Sequence, residues 1–490
     1  MIALSIAAVA IILAIYLLLK FKHSYWNRKG VPQIKPFFLF GNFKDAVFGD
    51  TIPNAIVKEA YWKFKMDGVK HGGIYFMYTP IWIPIDPELI KSILFQDARY
   101  FTGHGYFYQH KNDTLTNHLF NAEGEKWKHL RAKLTPAFSN GKLKLMFDIL
   151  DAVGDRLERK VKGLYGKSEP LNVKEVAACF GTDIIATCAF GLDCNSLEDP
   201  NVPFRKYGKQ IFEPRILQEI LEQLFNWDLL NFFGHSWLNK EVNEFFLGLV
   251  KDMINLRDKR QTIRHDFLHL LLQLRDKENF SFEDIAANVL VIYAAGYETT
   301  STTMSYVMYE LARHPKIQDK LRQEILKICP GDKKVTYDDL QQMKYCEMVV
   351  NETLRLHNTA TETPRKCTKT YQIPGTDVKI EEGIFVLIPN WGLHTDPDYY
   401  PNPLEFDPEN FSESSKASRH PNALFLPFGE GTRQCIGMRF AMMELKLAMV
   451  KCLRKFKYEL NPATPKDVTY EANNVTMIPK GEILLDILEI

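Results

Sequence analysis

Apolar residues recur at helical spacing over long parts of this 490-residue chain. The spacing i, i+3, i+4, i+7, which places side chains on one face of a helix, predicts helices over residues 147–164, 240–260, 281–313 and 315–329. Short runs with period-two alternation or β-branched residues predict strands over residues 73–78, 81–85, 378–380 and 384–388 and near 483–485. We therefore expect a mostly α protein with small β-sheets.

The amino-terminal segment differs from the rest of the chain. Residues 2–19 carry no charge, and about 18 residues of helix are enough to cross the hydrocarbon core of a bilayer. The basic residues follow this run, whereas a cleaved signal peptide has them before it. We therefore predict an uncleaved anchor over residues 1–20, with the body facing the cytosol and Tyr25 and Trp26 near the membrane interface.

The rest of the chain is predicted to form a linker followed by one domain. The prolines of residues 21–36 predict an extended and fairly stiff basic linker. Residues 37–490 contain no repeat, no low-complexity stretch and no long block of like charge, so we expect a single large domain.

Composition excludes several classes of protein. A hydrophobic fraction of 46% is sufficient for a large core, and a net charge of +1 gives no electrostatic signal for nucleic acid. The eight cysteines show no regular spacing, which disfavours a secreted disulfide scaffold. A reducing, cytosol-facing location fits better.

Residues 428–437 surround one cysteine with the groups that a thiolate metal ligand needs. Gly429 and Gly431 allow a tight turn that aims backbone N–H groups at the sulfur of Cys435. The helical pattern from residue 436 places Cys435 at the positive end of a helix dipole, which lowers a thiol pKa. A buried structural thiol is the alternative. A zinc site is disfavoured because no second Cys or His stands two to four residues away.

The neighbours of that cysteine suit a flat cofactor. Phe428 can shield the sulfur from water, and Gly437 leaves room for a ring. Arg433 can reach a carboxylate on the same cofactor.

The longest predicted helix has a polar interruption in its middle. Ala295 and Gly296 would let a flat cofactor and a substrate approach, although glycine costs about 1 kcal/mol in a helix. Glu298 and Thr299 would form a short proton relay. The alternative is a kinked core helix whose threonines bond back to carbonyl groups and whose Glu298 is solvated.

Two further pairs share helical faces. Trp127 and Arg131, four residues apart, could both bond one carboxylate, or they could be a packed indole beside a surface arginine. Glu352 and Arg355, three residues apart, would by themselves be an ordinary exposed ion pair.

These motifs together resemble the cytochrome P-450 monooxygenases. Residues 428–437 resemble the haem-thiolate signature of that family, and residues 295–300 resemble its oxygen-activating segment. Glu352 and Arg355 match its Glu-x-x-Arg ion pair, which the resemblance implies to be buried scaffold. In the family's next element Asn410 stands in place of an arginine, and its amide can still donate to Glu352.

The resemblance implies a cytochrome P-450 fold, in which a long helix lies over haem b and Cys435 is the axial ligand. It implies that the haem propionates are held by Trp127, Arg131, Arg365 and Arg433. Thr299 and Glu298 would deliver protons during dioxygen activation.

The resemblance also implies partners and a location. A flavoprotein reductase would supply electrons from NADPH, with cytochrome b5 as a possible second donor. The anchor fits the microsomal branch of the family and a location in the endoplasmic reticulum membrane. The sequence as a whole resembles the insect detoxification members most. One oxygen atom would enter a small apolar substrate such as a xenobiotic, plant toxin, insecticide, lipid or hormone.

Other interpretations remain open at this point. A haem-thiolate isomerase or dehydratase would work without a reductase, but the Glu298-Thr299 pair argues against it. A haem-dependent membrane sensor or lipid carrier would need the cysteine loop and no proton relay.

Two surface features have two interpretations each. A basic face could dock an acidic electron donor, or its side chains could be scattered and solvated: Lys126, Lys128, Lys133, Arg433, Arg439 and Lys446. Aromatic residues in segments 101–107 and 221–233 could form the roof of a substrate cavity, or they could be core or membrane-dipping surface.

Overall fold

The structure is a computed structural model that describes residues 2–105, 113–213, 221, 227–260, 264, 266–278, 280–418, 424–471 and 476–489. Helices dominate it, as the apolar spacing predicts. The α-helices in chain order are α1 Ile2–Lys22, α2 Tyr25–Arg28, α3 Lys44–Val47, α4 Pro53–Met66, α5 Pro87–Lys91, α6 Gly124–Leu134, α7 Asn140–Gly166, α8 Val173–Ile185, α9 Pro203–Ile211, α10 Trp227–Phe232, α11 Lys240–Arg260, α12 Phe267–Glu278, α13 Phe282–Arg313, α14 Pro315–Ile328, α15 Tyr337–Gln342, α16 Lys344–Leu356, α17 Asn390–His394, α18 Glu413–Ser418 and α19 Met438–Leu453.

Short strands form small sheets, which confirms the predicted fold class. The strands are β1 His71–Phe76, β2 Thr79–Pro84, β3 Leu171–Asn172, β4 Thr363–Lys366, β5 Tyr371–Gln372, β6 Lys379–Ile380, β7 Phe385–Ile388, β8 Phe456–Leu460 and β9 Leu484–Glu489. They pair in the orders β1-β2-β7-β4, β3-β9-β8 and β5-β6. Strand β1 ends two residues earlier than its pattern predicts, because Met77 has a φ of 51° and turns the chain into β2.

Helix α13 is the central element of the helical part. Its 32 residues begin after a capping box in which Ser281 accepts from the Asp284 backbone and Asp284 accepts from the Ser281 backbone, as the pattern predicts. At 1.5 Å per residue the helix is about 48 Å long. It contacts α8, α16, α19 and β8, so it crosses the whole helical region.

The core has two parts, and the cysteine segment joins them. Leu424 and Leu426 belong to the apolar cluster around the β1-β2-β7-β4 sheet. Phe428 and Ile436 pack against the larger cluster formed by the helices. The chain around Cys435 therefore crosses from the sheet to the helical core.

Helix α1 contains a window, Leu4–Lys22, that is long and apolar enough to cross a membrane, and none of that window is buried in the protein. The segment that follows departs from expectation. Trp26, expected near the membrane interface, is fully buried, and its indole nitrogen donates to the carbonyl of Ile74 at 3.2 Å. A Cβ at Gly73 would lie 2.2 Å from the Trp26 ring, so β1 has a glycine where the indole packs. Residues 25–34 thus pack against β1 and are structurally part of the body.

A buried ion pair on α16 connects this helix to the chain around residues 394–405. The side chains of Glu352 and Arg355 have no exposed surface, and Arg355 Nη2 lies 2.7 Å from Glu352 Oε1. Asn410 Nδ2 donates to the same oxygen at 3.1 Å. The asparagine therefore fills the role expected of it. The remaining guanidinium N–H groups donate to the backbone carbonyls of His394, Pro403 and Glu405.

Candidate functional site

The loop before α19 has a conformation that its glycines permit. Gly429 and Gly431 have φ values of 64° and 76°, a region that side chains other than glycine rarely occupy. A Cβ at Gly431 would also lie only 2.0 Å from the carbonyl oxygen of Leu94. The turn closes with a bond of 2.8 Å from the Cys435 N–H to the Phe428 carbonyl, which fixes the cysteine relative to the aromatic ring.

The thiol of Cys435 is accessible and yet closely surrounded by protein, which places it beside a cavity. Its side chain is exposed, yet protein surrounds it closely enough that burial is the largest effect on its pKa and raises it. The backbone N–H groups of Gly437 and Met438, at the start of α19, and the charge of Arg131 act in the opposite direction. The expected lowering of the thiol pKa is therefore wrong for the protein alone, since burial outweighs the helix terminus. A metal ion, whose charge deprotonates a coordinating thiol, would reverse this balance.

Arg433 lies beside the indole ring of Trp127, and one nitrogen of its guanidinium group donates to none of the described residues. Its guanidinium lies 4.1 Å from the centroid of the Trp127 ring. Nε donates to Thr102 O at 2.7 Å and Nη2 to Ala122 O at 2.6 Å, whereas the buried Nη1 has no partner among the described residues. Trp127, also buried, has no acceptor for its indole N–H among the described residues.

Two further arginines complete a cationic cluster. Arg365 is buried, donates to the carbonyls of Pro364 and Glu430, and has its pKa lowered to about 10 by burial. Burial, followed by the charges of Arg365 and Arg131, lowers the pKa of Arg433 to about 9. Arg131, on α6 one turn after Trp127, has no ion-pair partner among the described residues. Such a cluster requires anions to balance it.

His104 is a member of this site that the sequence did not reveal. Burial, followed by the charges of Arg365, Arg433 and Arg131, holds its pKa well below the usual range. Its Nδ1 lies 3.0 Å from the carbonyl oxygen of Phe120, which leaves Nε2 available. The sequence around His104 does not predict this role, because the arginines that act on the histidine are distant in the chain.

These residues fit a haem. The cavity offers one thiol ligand to a metal, an unpartnered buried Arg433 nitrogen, and a free indole N–H for carboxylate oxygens. The glycine at position 437 leaves the space above the sulfur open, because a Cβ there would lie 3.9 Å from Cys435 Sγ. A flat group with a metal at its centre and two carboxylates at its edge satisfies all three features.

The middle of α13 has features of both interpretations of its sequence, the accessible proton relay and the core helix whose threonines bond back to carbonyl groups. Thr299 Oγ1 donates to Ala295 O at 2.6 Å, and Thr303 Oγ1 to Thr299 O at 2.8 Å, so the hydroxyls do bond backward along the helix. Yet Ala295 is exposed and Thr299 is half-buried on a helix whose other faces are packed. The missing side chain of Gly296 has a packing reason, because a Cβ would lie 2.5 Å from Ile185 Cδ1 on α8.

Glu298 is buried rather than solvated. Burial raises the pKa of its carboxyl to about 7, and the more distant charges of Lys174 and Lys209 only partly oppose that shift. The carboxyl makes no hydrogen bond with the described residues. It can therefore gain or lose a proton near neutral pH, one residue from the Thr299 hydroxyl.

The predicted basic face is smaller than expected. Arg433 is buried under Trp127, and Lys446 is buried and paired with Glu347 at 2.9 Å. Lys126, Lys128 and Arg439 are exposed. Arg439 also lines a surface pocket of about 370 Å³, together with Phe428, Gly429 and Gln434 of the cysteine loop.

The aromatic segments divide between core and surface. Phe101 is buried and its ring centroid lies 4.9 Å from that of Tyr371, so it is a core residue. Phe232 and Phe233 are 82% and 75% exposed, which excludes them from the core. Residues 106, 107, 222–226 and the side chains of 227 and 228 lie outside what the structure describes.

Comparison with known proteins agrees with this geometry. The family model for cytochrome P450 matches residues 31–485. The chain is 36% identical over 484 residues to cytochrome P450 6a2 of Drosophila melanogaster, covering 94% of each chain. It is 36% identical over 482 residues to cytochrome P450 6k1 of Blattella germanica, covering 93% of this chain and 91% of the relative. Probable cytochrome P450 6a14 of Drosophila melanogaster is 35% identical over 510 residues, covering 99% of both chains. The chain belongs to the cytochrome P450 family of haem monooxygenases.

Proposed function

We propose that this protein is a membrane-anchored monooxygenase that inserts one atom of dioxygen into small apolar substrates with electrons from NADPH. One observation carries the proposal: an enclosed thiol, Cys435, lies near three arginines, Arg131, Arg365 and Arg433, that form no ion pair with the described residues, although the charge of Glu123 acts on Arg433. That combination suits haem b, with the thiolate as metal ligand and the propionates on the arginines.

The side chains around the cavity have separate tasks in this proposal. Cys435, shielded by Phe428, would supply the thiolate ligand to the haem iron, and a thiolate ligand favours cleavage of dioxygen when haem is bound. Arg131, Arg365 and Arg433, together with the Trp127 indole, hold the two propionates and so fix the orientation of the ring. Ala295 and Gly437 leave space beside the ring, whereas Gly296 lets α13 pack closely on Ile185 of α8.

In this proposal, side chains of helix α13 deliver protons to the cavity. Glu298 takes up a proton from the side of Lys174 and Lys209, and the Thr299 hydroxyl presents one to the cavity. The bond from Thr299 to Ala295 O orients that hydroxyl, and a rotation about χ1 releases it. This relay would supply the two protons that, together with two electrons from the reductase, convert one oxygen atom of dioxygen into water while the other oxygen atom enters the substrate.

Thr299→Ala is expected to preserve haem and substrate binding but to divert NADPH oxidation into hydrogen peroxide. Product formed per NADPH should fall by up to about a hundredfold, the low end of the contribution of a positioned proton donor. Thr303→Ala is the matched control, because it removes a hydroxyl with the same backward bond one turn away. Unchanged coupling in Thr299→Ala, or equal losses in both variants, would refute the relay.

The raised pKa of Glu298 predicts that coupled product formation depends on pH. Because burial raises its pKa to about 7, the carboxyl is protonated below that pH and loses its proton above it. Coupled product formation should therefore fall as pH rises through about 7. Glu298→Gln, which has no such proton, should lower coupling and flatten this part of the profile. A profile that keeps the same inflection in Glu298→Gln would contradict the assignment.

The electron donor docks at the exposed lysines. Lys126, Lys128 and Arg439 are exposed, and Arg439 lines a surface pocket together with Phe428, Gly429 and Gln434 of the cysteine loop. An acidic surface on an NADPH-dependent flavoprotein reductase, or on cytochrome b5, would be attracted there, and the association rate would fall with salt.

Helix α1 anchors the protein in the endoplasmic reticulum membrane, with the catalytic body on the cytosolic side. The basic residues Lys20 and Lys22 at its end support this orientation. The names of the relatives support the insect detoxification branch. Xenobiotics, plant toxins and insecticides are thus the first substrate classes to test, with lipids and hormones next.

Deleting residues 2–20 is expected to loosen membrane attachment and to leave the haem site intact, since the apolar window of α1 is not buried in the body. Deleting residues 2–28 is the informative contrast. That deletion also removes the buried Trp26, and losing a large buried aromatic costs about 3–5 kcal/mol, so folded protein should decrease. Membrane fractionation and haem content measure both effects. Loss of haem in the shorter deletion would contradict an independent anchor.

The function is tested by reconstituting the membrane-bound protein with a flavoprotein reductase. We expect substrate-stimulated NADPH consumption, with one labelled oxygen atom from dioxygen appearing in the product. A peroxide isomerase or dehydratase would turn over without reductase. A sensor or lipid carrier would bind ligands and consume no NADPH.

A further inference from the structure

The last turn of helix α13 carries a buried acidic side chain that the proposed reaction does not use. The side chain of Glu310 is only 2% exposed, and it lies about three helical turns beyond Thr299. An isolated charge is costly to bury, so a carboxylate in this position needs partners. Its partners come from α13 itself, from the junction between α13 and α14, and from the end of α16.

Two imidazole rings from different elements meet this one carboxylate. His357, the residue that follows α16, has its Nε2 2.7 Å from Glu310 Oε1. His314, between α13 and α14, has its Nδ1 3.3 Å from Glu310 Oε2 and 2.8 Å from the Glu310 carbonyl oxygen. Arg313 adds longer contacts, with Nη1 at 3.3 and 3.4 Å from the two carboxylate oxygens. The carboxylate therefore joins the end of α13 to the end of α16.

The two rings differ in their surroundings. The His357 side chain is 13% exposed and stacks on the ring of Tyr306, with 4.4 Å between centroids. The His314 side chain is 33% exposed. It lines a cavity of about 400 Å³, which Leu404 and Phe406 also line. His314 is thus the ring that water reaches and that has room to turn.

The charge on this group of side chains depends on pH in the neutral range. Burial would raise the pKa of Glu310, but the bonds from His314 and His357 outweigh it and lower that pKa to about 2. The bond to Glu310 raises the pKa of His314 above its usual value of about 6.5, and burial only partly opposes this rise. The carboxylate thus stays charged in the neutral range, whereas His314 passes from imidazolium to imidazole.

Other charged and titratable groups face the same place. Arg313 opposes the rise in the pKa of His314, and an arginine keeps its charge at every pH of interest. Burial raises the pKa of Tyr309 and of Tyr470 to about 12 and that of Tyr306 further, so these phenols keep their protons. The remaining groups are Glu405, which lines the cavity, and Lys316, which is exposed at the start of α14.

We propose that Glu310, His314 and His357 form a pH-dependent clamp, which fastens the end of α13 to the end of α16 and loosens when His314 loses its proton. A charge-assisted hydrogen bond is roughly twice as strong as a neutral one. The neutral ring of His314 is therefore held less tightly and can turn into the cavity beside it. His357 keeps its bond to the carboxylate, so the clamp loosens without separating the two helices.

The direction of the effect follows from the raised pKa of His314. A group whose pKa is higher in the folded protein contributes stability that is present in full below its unfolded value, about 6.5, and that is lost as pH rises through the folded value. Mildly acidic conditions therefore close the clamp, and alkaline conditions loosen it. The far wall of the cavity is fixed, because Arg355 donates to the carbonyls of Pro403 and Glu405.

Amide hydrogen exchange of the haem-loaded, full-length protein in detergent tests the clamp, read by mass spectrometry at about pH 6 and about pH 9. Each rate is divided by the rate of an unstructured peptide at the same pH, which gives the extent of local opening. We expect opening of residues 306–314 to be at least roughly tenfold greater at the higher pH, the scale of a hydrogen bond to a charged group. Peptides from β1 and β2 are the internal reference and should keep their protection.

His314→Gln should abolish this pH dependence, with opening at both pH values close to that of the wild type at the higher pH. His314→Lys stays charged over this range and should keep the end of α13 protected at both pH values. His129→Gln is the matched control, because His129 is exposed on α6 and forms no ion pair with the described residues. Should His314→Gln fail to accumulate, the wild-type profile and His314→Lys still decide the question.

Three results would each overturn the clamp: equal opening of the wild type at both pH values, a pH dependence that survives His314→Gln, or an equal change in the β1 and β2 reference. A loosening confined to the end of α13 and abolished by His314→Gln would support it. None of these measurements uses substrate, reductase or turnover. A failure of the proposed monooxygenase reaction would therefore leave them interpretable.

Discussion

Cys435→His is expected to yield a folded protein that still binds haem and has no measurable oxygenase activity. We expect the haem to be retained because Arg131, Arg365 and Arg433, which we propose to hold the propionates, do not depend on the metal ligand. Loss of activity follows because a neutral imidazole donates less electron density than a thiolate, and thiolate donation favours O–O cleavage. Haem content and reductase-dependent product formation measure the two effects.

Cys452→Ala is the control for this substitution. Cys452 is a fully buried thiol on α19, the helix that follows the loop, and it is far from the accessible cavity. Its removal should leave both the haem and the activity in place. Retained turnover in Cys435→His, or equal loss in Cys452→Ala, would refute the assignment of Cys435.

Arg355→Leu is expected to have the largest effect on stability. The substitution leaves Glu352 buried without its cation, and breaking a buried ion pair in this way costs about 3–5 kcal/mol. It also leaves the carbonyls of His394, Pro403 and Glu405 without their donor. The midpoint of urea unfolding should fall sharply, or folded haem protein should fail to accumulate.

The exposed pair Glu125–Lys128 is the matched control, with the same spacing of three residues and 2.6 Å between charged atoms. Because water screens this pair, Lys128→Met should change stability by no more than about 1 kcal/mol. Similar unfolding midpoints for Arg355→Leu and the wild type would mean that the buried pair does not hold this part of the fold.

Local features of the chain were predictable because their causes are local. The capping box at Ser281 and the glycines at 429 and 431 act within a few residues, so their geometry follows from sequence. Burial of Glu352 and Arg355, expected from the family resemblance, is confirmed. Asn410 donates to Glu352, as its amide chemistry suggested.

Features that depend on distant contacts were not predictable. His104 joins Arg365 through 260 residues of intervening chain, and no pattern in the loop announces it. Trp26 follows an apolar helix and so resembled an interfacial residue, but its partner is Gly73 on β1. The thiol pKa of Cys435 depends on how completely other segments enclose it, which helix-dipole reasoning from α19 does not capture.

The carbon monoxide difference spectrum of the reduced protein in membranes tests the central claim most directly. A strongly red-shifted Soret band, present in the wild type and absent in Cys435→His, is the result we expect for a haem held by the Cys435 thiolate. A wild-type band at the position typical of a neutral axial ligand, or no haem band at all, would contradict it.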